Sequence, residues 1–291
     1  MAKILDYHCG YDNGAGLGTW AEKNPVLQFP QAYLQRTMIA ELASTIRKQE
    51  NAAYCLLPFC HTLEAEALGA NIYLGDGLTT PRARQPLCGS LSEVLKLTMD
   101  FSNSRLQETL AACRVLKVEG ETVLFQISGP LTVLNSLVPS ELVFRAFRKE
   151  PDLLLQIFRK IGWDILQLAI LAEEAGAELI SYADPMGGVG IVGPKVAEMI
   201  VRDFTVDFLR SMDRELRKQT LVLLCPKTAF ALLGTDLAQW REHKLPQWMS
   251  YGEAALTHRG KFRFVGQSCV KKTSYTTGIL RELVLKQEEA Q

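Results

Sequence analysis

Residues 121–130 read ETVLFQISGP. The run from Val123 to Ile127 is almost wholly apolar, and it stops at Gly129 and Pro130. Proline has no backbone N–H and a fixed φ, so it ends a strand and suits the first turn of a helix. AELISYADP (177–185) and TLVLLCP (220–226) carry the same punctuation. All three runs are continuous rather than alternating, as strands are when both faces of a parallel sheet are covered. Helical stretches separate them: PSELVFRAFRKE (139–150), PDLLLQIFRKIGWDILQLAILAEEAG (151–176) and GPKVAEMIVRDFTVDFLRSMDRELRK (193–218). Alternating strand and helix is the α/β plan. No GxGxxG follows any of these strands, which argues against a dinucleotide-binding doubly wound sheet. Polar, glycine and proline residues collect just after the strands: Gln126 and Gly129, Asp184 and Pro185, Cys225 and Pro226, Gln267 and Cys269. In a (β/α)8 barrel those places face one mouth. The expected fold is therefore α/β, a TIM-type (β/α)8 barrel forming a single domain over residues 1–291. Residues 1–30, rich in Gly and Asn, form an atypical N-terminal segment.

Working outward, helices are expected at 31–50, over TLEAEALGA (62–70), and over LSEVLKLTM (91–99) and SNSRLQETLAACRVL (102–116). AYCLLPF (53–59) reads as a strand, and residues 71–90 as an irregular excursion. TAFALLGTDLAQW (228–240) and TGILRELVLKQEEA (277–290) read as helices. LPQWMSY and KFRFVGQ read as short strands around a loop-like or weakly helical GEAALTHRG.

Lys plus Arg and Asp plus Glu both number 32, so the net charge is zero with neutral histidine. That balance gives no support to nucleic-acid or acidic-membrane partners. The longest apolar segment is broken by paired glutamates, and no signal-peptide core opens the chain, so the expected location is the cytoplasm. The seven cysteines (9, 55, 60, 88, 113, 225 and 269) are odd in number and irregular in spacing, without a CxxC pair. Reduced thiols fit that pattern better than a disulfide scaffold.

Four segments resemble the uroporphyrinogen decarboxylase superfamily, and within it the corrinoid-dependent, methylcobalamin:coenzyme M methyltransferase-like branch. They are LPFCHTLEAEALGANI (57–72), QISGPLTVLNSL (126–137), EEAGAELISYADPMGG (173–188) and FVGQSCVKKTSYTTGILRELV (264–284). The arginine-rich N-terminal motif of the decarboxylases is missing. Arg36 and Arg47 lie in an ordinary helical pattern. In the methyltransferase branch, a His-x-Cys at one strand end and a distant cysteine hold zinc. The resemblance assigns Cys225 and Cys269 to those cysteines, while Leu223 stands where the branch has histidine. The 43 residues between the two cysteines are fewer than the branch implies, so the barrel is expected to be shortened or incomplete between 226 and 268.

The implied chemistry is transfer of a methyl group from a methylated corrinoid, carried by a partner protein, to a thiol or other small nucleophile at a barrel-mouth zinc site. Zinc keeps a thiolate available near neutral pH. Candidate third ligands are His61, Cys60, Glu64, His243 and His258, with His61 first. Asp184 is the candidate catalytic residue, accepting a hydrogen bond from substrate or steering a ligand. Gln126 and Ser128 offer polar contacts. Gly187 and Gly188 would let the chain approach a bulky cofactor, and Lys271 beside Cys269 would attract an anionic group. A bland reading stands beside each: Cys225 as a packed strand-end residue, Asp184 as a helix cap or turn residue, His61 as a helix-start residue, and Lys271 as solvated surface. Two alternative functions also stand: a decarboxylase-like enzyme, and a non-catalytic barrel that binds a corrinoid or partner.

Overall fold

The computed structural model describes residue 7 and residues 29–76 and 79–286. Among the described residues the strands are β1 (Cys55–Leu57), β2 (Ile72–Tyr73), β3 (Arg82–Ala83), β4 (Val123–Ser128), β5 (Leu179–Ala183), β6 (Leu221–Leu224), β7 (Ala238–Ser250), β8 (Phe264–Val265) and β9 (Thr276–Leu285). Seven form one sheet in the order β1-β4-β5-β6-β8-β9-β7, and β2 pairs with β3 in a separate ribbon. β1, β4, β5, β6 and β8 are parallel neighbours. β9 runs antiparallel to both β8 and β7.

The wall is built in layers. Leu124 pairs with Leu179, which pairs with Leu221. Two residues on, Gln126, Ser181 and Leu223 are partners in the same way. Alternate strand residues point to opposite faces, and two apolar clusters divide along that alternation. Phe125, Ile127, Ile180, Tyr182, Val222 and Leu224 pack with the helices on the outer face. Leu124, Leu179, Leu221, Leu223, Val265 and Leu280 form the inner cluster. Both faces are covered, as the continuous apolar runs require.

The fold is of the barrel-type α/β class with a mostly parallel wall, and its far side is built differently from the near side. After β6 come helix Pro226–Gly234, β7 at the far edge, helix Tyr251–Thr257 and then β8. Among the described residues no ladder joins β7 to β1. Instead, helix Tyr251–Thr257 gives Tyr251, Ala254 and Ala255 to the inner cluster, beside Tyr54. The Tyr54 hydroxyl donates to the Val270 carbonyl at 2.9 Å. A Cβ on Gly252 would lie 2.9 Å from both Ala53 and Tyr54. Side-chain packing thus spans the gap between the sheet edges.

Two sequence expectations fail here. Residues 277–290 were expected as a helix, but β9 occupies Thr276–Leu285 and the rest lies outside the described residues. β9 pairs with β7 from Ala238↔Leu285 to Lys244↔Ile279. Its buried residues, Thr277, Leu280 and Leu283, fall every third position and mimic a helical face. Residues 228–240 were expected as one helix. That helix stops at Gly234, Asp236 takes φ +61°, and β7 begins at Ala238. GEAALTHRG, by contrast, lies over a true helix, Tyr251–Thr257, opened by a capping box between Ser250 and Glu253. The excursion at 71–90 contains the β2–β3 ribbon, and the helix at 91–99 shortens to Leu91–Val94. Most of residues 1–30 lies outside the described residues. No described helix is long and apolar enough to cross a membrane.

The β4 and β5 ends are locked at Gly129, whose N–H donates to the Ala183 carbonyl at 2.8 Å. A Cβ there would sit 2.3 Å from Asp184 Cβ. Gly129→Ala is therefore expected to lower unfolding free energy by about 1–3 kcal/mol through overpacking. Urea denaturation checks this, and an unchanged midpoint would show that the crossing is not tight.

Candidate active site

A cavity of about 470 Å³ opens where the parallel strands end. Its wall includes His61, Gln126, Cys225, Cys269 and Lys271 from the sequence-predicted set. Cys60, another of the candidate ligands, lies there too, joined by Ser181, Thr132 and Arg82, with apolar surface from Phe59, Met186, Pro226 and Val270. The two cysteines arrive from separate places: Cys225 directly follows β6, and Cys269 lies in the turn after β8. β4, β5 and β6 set the inward residues of one layer, with Gln126 and Ser181 reaching the cavity and Leu223 fully buried below Cys225.

Ser128, Asp184, Gly187 and Gly188 are not on the wall. Asp184 is buried and bonded to the start of helix Pro130–Asn135. Its Oδ1 accepts from the Thr132 N–H at 2.8 Å and the Thr132 hydroxyl at 2.6 Å, and its Oδ2 accepts from the Leu131 N–H at 3.2 Å. Burial raises its pKa against these bonds. Its visible task is to hold that helix, and thereby Thr132, at the cavity edge. Gly187 packs 3.6 Å from the Asp184 carboxyl as measured from an added Cβ, and a Cβ on Gly188 would meet the Lys227 stem at 2.7 Å.

His61 sits at the end of a buried polar chain. Its Nδ1 lies 3.2 Å from Ser128 Oγ and 3.5 Å from Gln126 Nε2. Burial, and then the positive charge of Lys271, push its pKa down to about 3, so the imidazole is neutral at physiological pH. Behind it, Glu64 Oε1 accepts from the Ser128 N–H at 2.6 Å. Glu64 is fully buried, and among the described residues its Oε2 has no hydrogen-bond partner. Desolvation raises the Glu64 pKa, with Ser128 acting in opposition.

Sequence reasoning missed Arg105. It is buried, paired with Glu66, and donates to Thr62 Oγ1 at 3.0 Å and to Cys60 Sγ at 3.4 Å. It lies near the start of a helix in a sequence with no distinguishing pattern, so only the fold shows its role. Two of the other candidate ligands lie elsewhere. His243 Nε2 is 2.9 Å from Glu282 and its ring stacks on Phe262, while His258 Nδ1 is 2.9 Å from the Ala254 carbonyl.

The donor set does not fit zinc. A catalytic zinc site needs three protein donors and an open position. Among the described residues no three His, Cys, Asp or Glu side chains are gathered to hold a metal ion. The inward place below Cys225 carries the hydrocarbon of Leu223.

Comparison with protein families matches residues 18–240 to the family described as uroporphyrinogen decarboxylase (URO-D). The chain belongs to this family. Within it, the chain is similar to a methylcobamide:CoM methyltransferase, MtaA, of Methanosarcina barkeri. Identity is 22% over 231 residues, covering 78% of this chain and 66% of that protein. The MtaA of M. barkeri strain Fusaro is 21% identical over 203 residues, covering 68% and 59%. A solved methyltransferase from Methanosarcina mazei superposes with a TM-score of 0.63 at 21% identity, covering 74% of this chain and 66% of that one. This URO-D family chain thus spans less than two thirds of the length of those relatives, and it shares the fold of the solved M. mazei methyltransferase.

The raised Glu64 pKa has a signed consequence. Below its ordinary value of 4.5 both folded and unfolded states carry the proton. Above it, the unfolded chain ionises while the native carboxyl stays protonated, so native stability falls until that carboxyl also titrates. Glu64→Gln removes this loss. Its melting temperature relative to the parent should therefore be higher at pH 8 than at pH 4. A difference that does not vary with pH would show that Glu64 is not held protonated.

Proposed function

We propose that this chain transfers a methyl group from a methylated corrinoid, presented by a partner protein, to a small thiol or related nucleophile bound in the cavity. The observation that carries this reading is the convergence of Cys225 and Cys269 on one cavity, in a URO-D family chain similar to methylcobamide:CoM methyltransferases. Methyl transfer of this kind is an in-line displacement. The acceptor sulfur gives up its proton and forms the new S–C bond, and the Co–C electron pair stays on cobalt. The protein's part is to hold the acceptor in line and keep bulk water away. The apolar wall from Phe59, Met186 and Val270 suits the exclusion of water, and Cys225 and Cys269 offer soft groups beside the acceptor. The residues present do not complete a zinc site, so no step is assigned to that metal.

One observation favours a second reading. Leu223 fills the place where the resemblance expects histidine, as it would in a barrel that binds a corrinoid or its carrier without turnover. The decarboxylase reading needs a basic carboxylate-binding cluster in the mouth, where Arg82 and Lys271 stand. Arg36 and Arg47 pair with Glu108 and Glu121 and do not line the cavity.

The test is methyl transfer from methylcobalamin to a panel of small thiols, followed by the corrinoid's absorbance change. The chain should demethylate the corrinoid, and Cys225→Ala and Cys269→Ala should each lower the rate by about tenfold or more. Corrinoid binding without turnover by any thiol would favour the second reading. Full activity in both variants would remove the cysteines from the chemistry.

A further inference from the structure

Cys60 is a nucleophile that the proposed methyl transfer does not use. It follows β1 and lines the same cavity as Cys225 and Cys269. Its sulfur accepts from an Arg105 guanidinium N–H at 3.4 Å. The direction of that bond is fixed, because a guanidinium only donates. Arg105 is 4% exposed, and its other terminal nitrogen donates to Thr62 Oγ1, which lies 3.2 Å from the same sulfur. A buried cation against a sulfur stabilises negative charge there. Glu66 shares that cation, but its own side chain is 24% exposed and partly screened by water. Cys55 and Cys113, by contrast, are sealed in the core, where burial pushes both thiols up to about 12. A thiol in contact with a cation thus opens on a cavity of about 470 Å³, a size that suits a small molecule.

We infer that Cys60 is a modification site for thiol–disulfide exchange, with Arg105 stabilising its thiolate and a small disulfide as the reactant. The thiolate attacks one sulfur of the disulfide. A bond forms between Cys60 Sγ and that sulfur, the original S–S bond breaks, and the other half leaves as a thiolate that takes a proton from water. Cys60 is oxidised and the departing half is reduced, so the disulfide is the only oxidant required. The adduct fills part of the cavity from the Cys60 wall. Its consequence rests on the proposed function. A small disulfide is the oxidised form of a small thiol acceptor, so its adduct excludes that acceptor until a reducing thiol removes it. The cavity thereby senses the redox state of its own acceptor.

The probe is bis(2-hydroxyethyl) disulfide, which is small and neutral, applied to the fully reduced chain. Peptide mass mapping gives the rate of exchange at each cysteine. Cys225 and Cys269 are half-buried and Cys60 is buried, so exposure alone would have the first two react first. Cys60 should instead react faster than either by about threefold or more at neutral pH. Arg105→Met should slow exchange at Cys60 by about threefold or more and move its pH profile to higher pH, because the loss of thiolate outweighs the gain in intrinsic nucleophilicity. Glu66→Gln leaves the Arg105 charge to the sulfur and should move the profile to lower pH, a shift that a merely structural role for the pair would not give. Unlabelled Cys55 and Cys113 show that a variant is folded, and if Arg105→Met labels them, Glu66→Gln decides alone. Faster exchange at Cys225 or Cys269 than at Cys60, or an unmoved pH profile in Glu66→Gln, would overturn the inference. Methyl transfer by the parent should fall as the Cys60 adduct forms and return with dithiothreitol, while Cys60→Ser keeps its own untreated rate. A complete Cys60 adduct with methyl transfer undiminished would overturn the exclusion of the acceptor. Exchange at Cys60 in a chain that shows no methyl transfer before treatment would sink the proposed function and leave the exchange site standing.

Discussion

The register of β4, β5 and β6 is the constraint on which the rest depends. Leu124, Leu179 and Leu221 form the floor of the barrel, and Gln126, Ser181 and Leu223 the layer above it. A slip of one residue would exchange every inward and outward side chain. It would send Phe125 and Tyr182 inward and carry Gln126 into the helix layer. With the register fixed, Cys225 emerges at the top of β6 and faces the cavity, and Leu223 is sealed beneath it. Removing one floor leucine would cost about 2–5 kcal/mol. The site therefore stands on the most heavily packed part of the molecule.

Burial sets the electrostatics of that site. His61 is held neutral, while Glu64 and Asp184 are both pushed toward their protonated forms. Buried charge survives only where it is paired, as Arg105 is with Glu66. The polar groups of the cavity include an amide, hydroxyls, a neutral imidazole and a lysine. Beside them stand soft thiols and apolar surface. Such a wall suits a small nucleophile with a polar tail, held out of bulk water.

Much of this was legible in the sequence. The continuous apolar runs ending in proline located β4, β5 and β6, and the polar residues after the strand candidates implied that Gln126, Cys225 and Cys269 would share a mouth. The irregular half was not legible. Antiparallel pairing with β7 gave β9 a buried spacing that imitates a helix, and no local signal separates the two. Asp184 showed the opposite limit. The family resemblance suggested chemistry for it, while its carboxyl is committed to Leu131 and Thr132, contacts made across the fold. The support of His61 by Glu64 and Ser128 likewise joins residues 64 positions apart and has no sequence pattern.

The role of Leu223 concentrates the account. Its buried side chain occupies the inward position from which an imidazole would reach toward Cys225. The direct measurement is zinc affinity, by competition with a chromophoric chelator, for the parent chain and for Leu223→His. The expected result is a parent that holds zinc weakly, and a variant that gains a third ligand, binds zinc more tightly and takes one ion per chain. A parent that already binds one zinc as tightly as the variant would contradict it.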